Sequence, residues 1–461
     1  MSAAMLPTEI WQDILSYVLF KDILPTDNAN FFVNMDLFAH PCKIYTKLSY
    51  TKTNLSLVCH LWNNIVQALS RSVLFVDSVP ATQPTFEITH SLHRLEILNG
   101  WADHYCRRWP CRLSLRQGGR CPKSSYTVHP FQVLEHNVHL TPTVDLHDLQ
   151  VLRLQENYPN PSHLLSSCKR LRAISTRFSS FVVTYQPGAT FTRISHLDLD
   201  LVIDSGTTYI LDLPQMEYLK VGFGLSGVWD SQNRPLAFPL RIVMPKLTTL
   251  HLEGWFDGGY KQSMDELIFS SKNSLVNLLL SLNPSFFHSG FPLERLSEFP
   301  NLSIFGWNIR NFKRALPGDL PNHLRQSNPT LSLLILGLDL YHRRDPYDFR
   351  LEYAGGCIEM LKRTGTWFSS VVIPMEWGEL EDLWVQACDK FEDDDLLRAE
   401  DPLPCCWSFL DHIQRAGIRV QDRNAISLSE GDGSRFAKRM EAYMKDEEYR
   451  DRRRRHANGE R

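Results

Sequence analysis

From residue 149 onward the chain repeats one spacing of apolar residues, in which the second follows the first by three positions and the third follows by two more. Alternation over the last three positions predicts a short β-strand with one buried face. Successive copies begin 22 to 37 positions apart, which indicates a repeat array whose copies share a core. The copies begin at Leu149, Leu171, Ile194, Met216, Leu247, Leu275, Leu302, Leu331 and Phe368, and the copy at Leu171 is weaker because Thr176 takes the third position.

The residues between the apolar positions of each copy are expected to face outward, because successive side chains of a strand point to opposite sides. The same alternation would also suit strands of an ordinary α/β sheet or of a sandwich, but the near-constant spacing favours the repeat array. Outward residues of mixed charge with tyrosine and histidine suit a protein partner better than a phosphate backbone. We therefore predict a target-binding, concave sheet surface that exposes Arg153, His196, Asp198, Asp200, Tyr218, Lys220, His251, Glu253, Asn277 and Asn308.

Two amphipathic segments precede the array. The first predicts a helix from Pro7 to about Leu19, and the second predicts a helix from about Thr53 to Leu69. Two short helices cannot bury all of their apolar residues against each other, so a partner is expected to cover the excess. The apolar residues of the first are Ile10, Trp11, Ile14, Leu15 and Val18, and those of the second are Leu55, Leu57, Val58, Cys59, Leu61, Trp62, Ile65, Val66 and Leu69.

Residues 20–50 lie between these two helices, and we call this segment the insert. Asp22, Pro25, Asp27 and Pro41 interrupt its pattern, so we predict a surface loop with one or two short helices.

The two amphipathic segments resemble an F-box. The pattern Leu-Pro-x-Glu-Ile at residues 6–10, with Leu15, and the pattern Leu-x-x-Val-Cys-x-x-Trp at residues 55–62 carry this resemblance, which is nearest to F-box proteins of fungi. The repeated spacing similarly resembles leucine-rich repeats, although the asparagine that usually follows is missing from most copies. The resemblance implies that a Skp-type adaptor, and through it a cullin scaffold, binds Leu6, Pro7, Ile10, Leu15, Leu57, Val58 and Trp62.

These resemblances together imply an α/β protein with an N-terminal helical F-box-like head followed by an irregular leucine-rich-repeat solenoid. Such a protein is the substrate-recognition subunit of an SCF-type ubiquitin ligase: it holds a target protein and is not itself an enzyme. Two alternatives stay open: a leucine-rich-repeat interaction scaffold without a ubiquitin-ligase role, and an enzyme with a site in the irregular region 86–145. Whether the head's apolar residues are exposed or are packed against the array separates the first alternative from the receptor.

Composition and charge limit the remaining possibilities. The chain has 461 residues and a net charge of −3, so no overall field attracts nucleic acid or an anionic membrane. We find no apolar run long enough to span a membrane, and ten scattered cysteines suit a reduced cytoplasmic or nuclear compartment. The predicted segments are a head at 1–78 that contains the insert, a transition region at 79–145, the solenoid at 146–425 and a charged, disordered tail at 426–461. The basic cluster Arg452–Arg455 in that tail is compatible with a nuclear signal, but a solvated tail is the favoured interpretation.

One cluster in the transition region invites a zinc interpretation. His104, Cys106, Cys111 and Cys121 include one pair at ligand spacing, but Cys121 has no close partner, so loop cysteines are favoured. An arginine-rich patch between Arg107 and Lys123 is similarly interpreted as a solvated loop or a protein-binding surface and not as a nucleic-acid site. The sequence therefore predicts neither a cofactor nor a metal.

Overall fold

The structure is a computed structural model, and its chain divides into two compact units, Met1–Leu247 and Thr248–Arg461. It describes residues 6–25, 31–39, 41–77, 91–98, 133–134, 146–154, 168–177, 191–201, 209–223, 240–254, 261–282, 293–308, 329–336, 368–374, 376–377 and 419–427. The transition-region cysteines, the arginine-rich patch and all but the first two residues of the predicted tail lie outside these ranges.

Four helices begin the first unit, α1 (Thr8–Phe20), α2 (Phe31–Leu37), α3 (Pro41–Ser56) and α4 (His60–Ser70). The predicted first helix corresponds to α1, which Pro7 precedes with an extended backbone and whose first turn carries Glu9 near the positive helix end.

The predicted helix from Thr53 to Leu69 is wrong, because the structure divides this segment between α3 and α4. Cys59 has an extended backbone, with φ −163° and ψ 167°, and its Sγ accepts a hydrogen bond from the Trp62 amide at 3.5 Å. Cys59 is thus the N-cap of α4, where a side-chain acceptor satisfies an amide that has no partner within the helix. Apolar periodicity alone did not reveal this break.

Seven strands of the first unit form a parallel sheet, in which the spatial order is β3, β1, β2, β4, β5, β6 and β8. A separate parallel pair joins β7 to β9. The bounds of the nine strands are β1 (Val73–Asp77), β2 (Arg94–Leu98), β3 (Val133–Leu134), β4 (Val151–Leu154), β5 (Ala173–Arg177), β6 (His196–Leu201), β7 (Tyr209–Asp212), β8 (Tyr218–Phe223) and β9 (Leu240–Val243). A 3-10 turn, Phe191–Arg193, precedes β6.

The second unit has six parallel strands in chain order, from β10 to β15. The chain is therefore a mixed α/β protein with parallel sheets and an N-terminal group of helices. The elements of this unit are β10 (Thr249–Gly254), helix α5 (Lys261–Ser270), β11 (Asn277–Leu282), a 3-10 helix (Leu293–Glu298), β12 (Ile304–Asn308), β13 (Ser332–Leu336), β14 (Ser370–Val372) and β15 (Arg419–Gln421).

The second apolar residue of each copy in the first unit lies on one buried row across the sheet. Leu152, Ile174, Leu197 and Leu219 are paired strand to strand and are each no more than 1% exposed. Leu95 of β2 pairs with Leu152 and continues the same row. Leu92, Leu95 and Ile97 have the repeated spacing, so the array extends into the predicted transition region, and this copy was missed.

One predicted copy is displaced by a residue. We expected Leu334 of the copy at Leu331 to face the core, yet Leu333 pairs with Phe305 in the core row, and Leu334 pairs with Gly306 on the other face. A slip of one residue exchanges the two faces of a strand. Residues 333–336 are all apolar, so alternation could not identify the core-facing positions.

Gly306 lies between two leucines across three paired strands. It pairs with Leu279 of β11 and with Leu334 of β13, and both leucines are fully buried. A Cβ added at Gly306 would lie 2.5 Å from Leu279 Cδ2, 3.2 Å from Leu279 Cα and 3.1 Å from Leu336 Cδ1. Because one of these atoms is backbone, side-chain rotation alone cannot make room.

We expect Gly306→Ala to lower the free energy of unfolding by about 1–3 kcal/mol, the usual cost of overpacking a core. Urea denaturation monitored by circular dichroism measures the change. In the double variant Gly306→Ala/Leu279→Ala, the loss should be smaller than the sum of the two single losses, because the obstructing Cδ2 is gone. Simple additivity would contradict this account of the glycine.

The insert packs against the sheet, and its prediction as a surface loop is wrong. Its buried residues share one apolar cluster with the outward-facing residues of four strands. The C-terminal end of α1, together with α2 and α3, covers those positions. The cluster comprises Leu19, Phe20, Ile23, Leu24, Leu37, Phe38, Ile44 and Leu48 from the helical side, and Val73, Phe75, Val151, Ala173 and Tyr218 from the sheet.

Candidate functional site

The head has a small apolar core where α1 meets α4. Leu15 of α1 packs with Ile65 and Val66 of α4, and all three are at most 5% exposed. The indole rings of Trp11 and Trp62 close this core, with their centroids 5.0 Å apart and their planes inclined at 54°. Because Trp11 and Trp62 are both only half-buried, the tryptophan pair also forms part of the head's surface.

Apolar side chains remain exposed next to this tryptophan pair. Ile10, Ile14 and Tyr17 follow one another at helical spacing on α1, so they lie on one face of that helix. Leu57, Val58 and Leu61 are exposed around the break between α3 and α4, and Leu57 is 79% exposed. We call this set, together with Leu6 and Pro7, the apolar patch.

Two residues of the patch adjoin the tryptophan pair in the chain. Ile10 immediately precedes Trp11, and Leu61 immediately precedes Trp62. Exposed apolar side chains scattered singly are ordinary, but a contiguous group is typical of a surface that a partner covers. The arrangement suits apolar docking.

Most residues predicted to bind an adaptor belong to the apolar patch. Leu6, Pro7, Ile10, Leu57 and Val58 are exposed, and Trp62 is half-buried.

Leu15 differs, because it is 1% exposed inside the head core and is inaccessible to a partner. Its predicted contact is therefore corrected to a supporting position beneath the patch.

We expect Leu15→Ala to destabilise the head by about 2–5 kcal/mol, since truncation of a buried leucine leaves a cavity. Ile14→Ala, one residue away but 40% exposed, should change stability by less than about 0.5 kcal/mol. Thermal denaturation of the two variants measures the difference. Equal losses would mean that Ile14 is not part of an open surface.

The outward residues of the sheet are less accessible than predicted. Arg153, His196, Tyr218 and His251 are each at most 8% exposed, so their predicted exposure is wrong. Asn277 is also buried and donates a hydrogen bond to Thr249 Oγ1 at 2.9 Å.

Three predicted residues, Asp198, Lys220 and Glu253, remain partly exposed. Asp198 accepts a hydrogen bond from Ser175 Oγ at 2.9 Å and pairs in register with Lys220. The side chains of Asp200 and Asn308 lie outside the described residues.

The insert is the reason for the burial in the first unit. Arg153 Nη1 donates to the Ala39 carbonyl at 2.9 Å, directly after α2. Tyr218 lies against Phe38, with ring centroids 6.0 Å apart, and His196 stacks on Tyr218 at the same centroid distance. Sequence alternation identified which face these residues share but could not show that the chain's own helices cover it.

Arg94 and Glu96 were not predicted, and they form a fully buried ion pair under the insert. Arg94 Nε donates to Glu96 Oε1 at 2.7 Å, and Arg153 Nη1 approaches Glu96 Oε2 at 3.3 Å. Burial lowers the pKa of Arg94, while the Glu96 carboxylate acts in the opposite direction. The segment Arg94-Leu95-Glu96-Ile97 does alternate charged and apolar residues, but that pattern normally indicates a strand with a solvated face.

Arg94 also binds the carbonyl ends of the helical segments. Its Nη1 donates to the Ile23 carbonyl at 2.6 Å, and its Nη2 donates to the Leu37 carbonyl at 2.8 Å. Ile23 follows α1, and Leu37 is the last residue of α2. The last carbonyls of a helix lack intrahelical partners and carry partial negative charge, so a guanidinium is a favourable ligand there.

His196 is a buried titratable group beneath the insert. Its Nδ1 is 2.8 Å from Ser195 Oγ, while its Nε2 is buried without a hydrogen-bond partner among the residues that the structure describes. Burial, together with the nearby Arg172, lowers the pKa of His196 to about 4. The folded chain therefore favours the neutral imidazole.

We expect the free energy of unfolding to fall as pH decreases from about 6.5 towards 4. In this range His196 binds a proton in the unfolded chain but stays neutral in the folded chain. Below about pH 4 this loss of unfolding free energy should reach on the order of 3 kcal/mol in the wild type. It should be absent from His196→Gln. Unfolding free energies of wild type and variant between pH 7 and pH 4 measure it. His147→Gln, at a side chain 48% exposed, is the control and should leave this pH dependence unchanged.

No group of three or more histidine, cysteine, aspartate or glutamate side chains that could hold a metal occurs among the described residues. His104, Cys106, Cys111 and Cys121 lie outside them. Of the helices that the structure describes, none has the length and apolarity needed to cross a membrane.

Comparisons with known proteins add no relative: no family model matches the chain, and neither does any curated protein or solved structure.

Proposed function

We propose that the chain is the substrate-recognition subunit of an SCF-type ubiquitin ligase, with an F-box head and a leucine-rich-repeat-type solenoid. The exposed apolar patch on the head is the observation that carries the proposal. A patch of this kind beside a half-buried tryptophan pair needs a protein partner to remove it from water. Of the six predicted adaptor-binding residues that match the F-box pattern, four are exposed, namely Leu6, Pro7, Ile10 and Val58, while Trp62 is half-buried and Leu15 is buried.

The repeat architecture supports the second part of the proposal. Parallel strands pair in register at repeat periods, and the second apolar residue of each copy lies in a shared core row. This is how repeats that cannot bury their own apolar faces stabilise one another. The displaced copy at β13 and the irregular spacing correspond to a modified leucine-rich repeat.

The proposed mechanism is positional and requires no catalytic residue in this chain. The head binds a Skp-type adaptor, which connects it to a cullin scaffold. The outward sheet face binds a target protein near a separate enzyme that modifies target lysines, so the target's effective concentration rises. Target contacts are assigned to Asp198 and Lys220, the predicted residues of the first unit that remain partly exposed, and the proposed location is cytoplasmic or nuclear.

The test is co-purification and binding titration of the full chain with a Skp-type adaptor. The wild type should form a stable complex, whereas Leu6→Ala/Pro7→Ala should not. Leu57→Asp should weaken binding at least about tenfold, because a buried leucine contact contributes roughly 1.5–3 kcal/mol. Since Leu57 is 79% exposed, the substitution should leave folding intact, which circular dichroism checks.

The matched control is Ile426→Asp, which changes another exposed apolar residue, 55% exposed, in the second unit. It should bind the adaptor as the wild type does. A folded wild-type chain that ignores the adaptor would overturn the receptor proposal and favour a repeat scaffold without a ubiquitin-ligase role.

A further inference from the structure

Aromatic contacts tie the insert region to the sheet at three separate places. Phe20, Phe38 and Tyr45 lie 5.9, 6.0 and 5.8 Å, centroid to centroid, from His93, Tyr218 and Phe75, respectively. Two of these pairs have an edge-to-face geometry, which aromatic rings favour. Phe75 lies in β1 and Tyr218 lies in β8, the first and the last of the seven strands along the chain. The insert is therefore anchored across the sheet and not at one point.

Buried charge makes the same attachment specific. The guanidinium of Arg94 is completely buried and binds Glu96 and the carbonyls of Ile23 and Leu37. If the insert left the sheet, Arg94 would lose the Ile23 and Leu37 carbonyls, or water would have to enter the space. A buried charge that loses hydrogen-bond partners without gaining water is strongly unfavourable.

A further ion pair holds the helices of the insert to one another. Lys47 Nζ of α3 lies 3.0 Å from Asp22 Oδ2 and 3.9 Å from Asp36 Oδ2 of α2. Lys47 therefore joins the segment after α1 to α2 and α3. The insert thus has internal connections as well as its attachments to the sheet.

We propose that the insert is a structural clamp that joins the head to strands β1, β2 and β4 in one cooperative folding unit. It occupies the part of the outward face around Val73, Val151 and Tyr218, and it does so as a permanent part of the fold. The clamp fixes the direction of the apolar patch relative to this sheet. This proposal stands independently of the ubiquitin-ligase role, because it concerns only contacts within the first unit.

Hydrogen–deuterium exchange of the full chain, read by mass spectrometry, tests the clamp. Amides of α2 and α3 should open with the same free energy as those of β1, β2 and β4, so their slowest protection factors should agree within about threefold. A releasable cover would instead let α2 and α3 exchange at least about a hundredfold faster than the strands. That result would overturn the proposal without any variant being made.

Substitution of the buried arginine provides the second measurement. Arg94→Met should lower protection in the insert and in the three strands together, by about a hundredfold to a thousandfold. Arg170→Met is the control, because Arg170 forms an ion pair with Asp148 at 3.0 Å but is 63% exposed, and it should change protection less than about threefold. Loss of protection confined to the insert in Arg94→Met would contradict a single cooperative unit.

The clamp proposal and the adaptor-docking proposal can be refuted separately. Exchange is measured without any partner, and adaptor binding is measured with substitutions in the apolar patch. An intact clamp in a chain that ignores the adaptor would leave this inference standing and remove the ligase role alone.

Discussion

A fully buried guanidinium is the constraint on which the N-terminal half of this chain depends. Arg94 faces a carboxylate on its own strand and two backbone carbonyls at the ends of helical segments. A charge without water requires all of these partners at once, so the sheet, the end of α1 and α2 must assemble together. The apolar cluster around it supplies most of the stabilising burial, while the arginine makes one arrangement of helices on the sheet specific.

The same unit thus buries charges on one side of its helices and exposes apolar side chains on the other. Leu19 and Phe20 at the end of α1 pack into the sheet cluster, whereas Ile10 and Ile14 earlier in the helix face outward. Exposure of the second pair is unusual for a simple cap, whose apolar face would be covered by the array. This division anchors the head to the sheet at one end and leaves apolar side chains exposed at the other.

The candidate docking residues were largely predictable, and the target surface was not. Leu57 could be identified because short amphipathic helices carry more apolar surface than they can bury themselves, and Leu6 and Pro7 were predicted from the resemblance to an F-box. Arg153, His196 and Tyr218 were assigned correctly to the outward face by strand alternation. Their burial depends on the insert, more than a hundred residues away in the chain from each of them, and no local pattern encodes that contact.

The sequence by itself determined the core rows of strands β4, β5, β6, β8, β10, β11 and β12, because an alternating pattern at repeat periods leaves one stable way to bury the apolar face. It also determined α1 and the apolar excess of the head. Tertiary structure alone decided the register of β13, since residues 333–336 are apolar on both faces. It alone decided the break at Cys59, and it alone placed the insert on the sheet. These outcomes follow from which surfaces meet in space, and Arg94 shows the physical reason: a charged strand residue is solvated or buried according to partners far away in the chain.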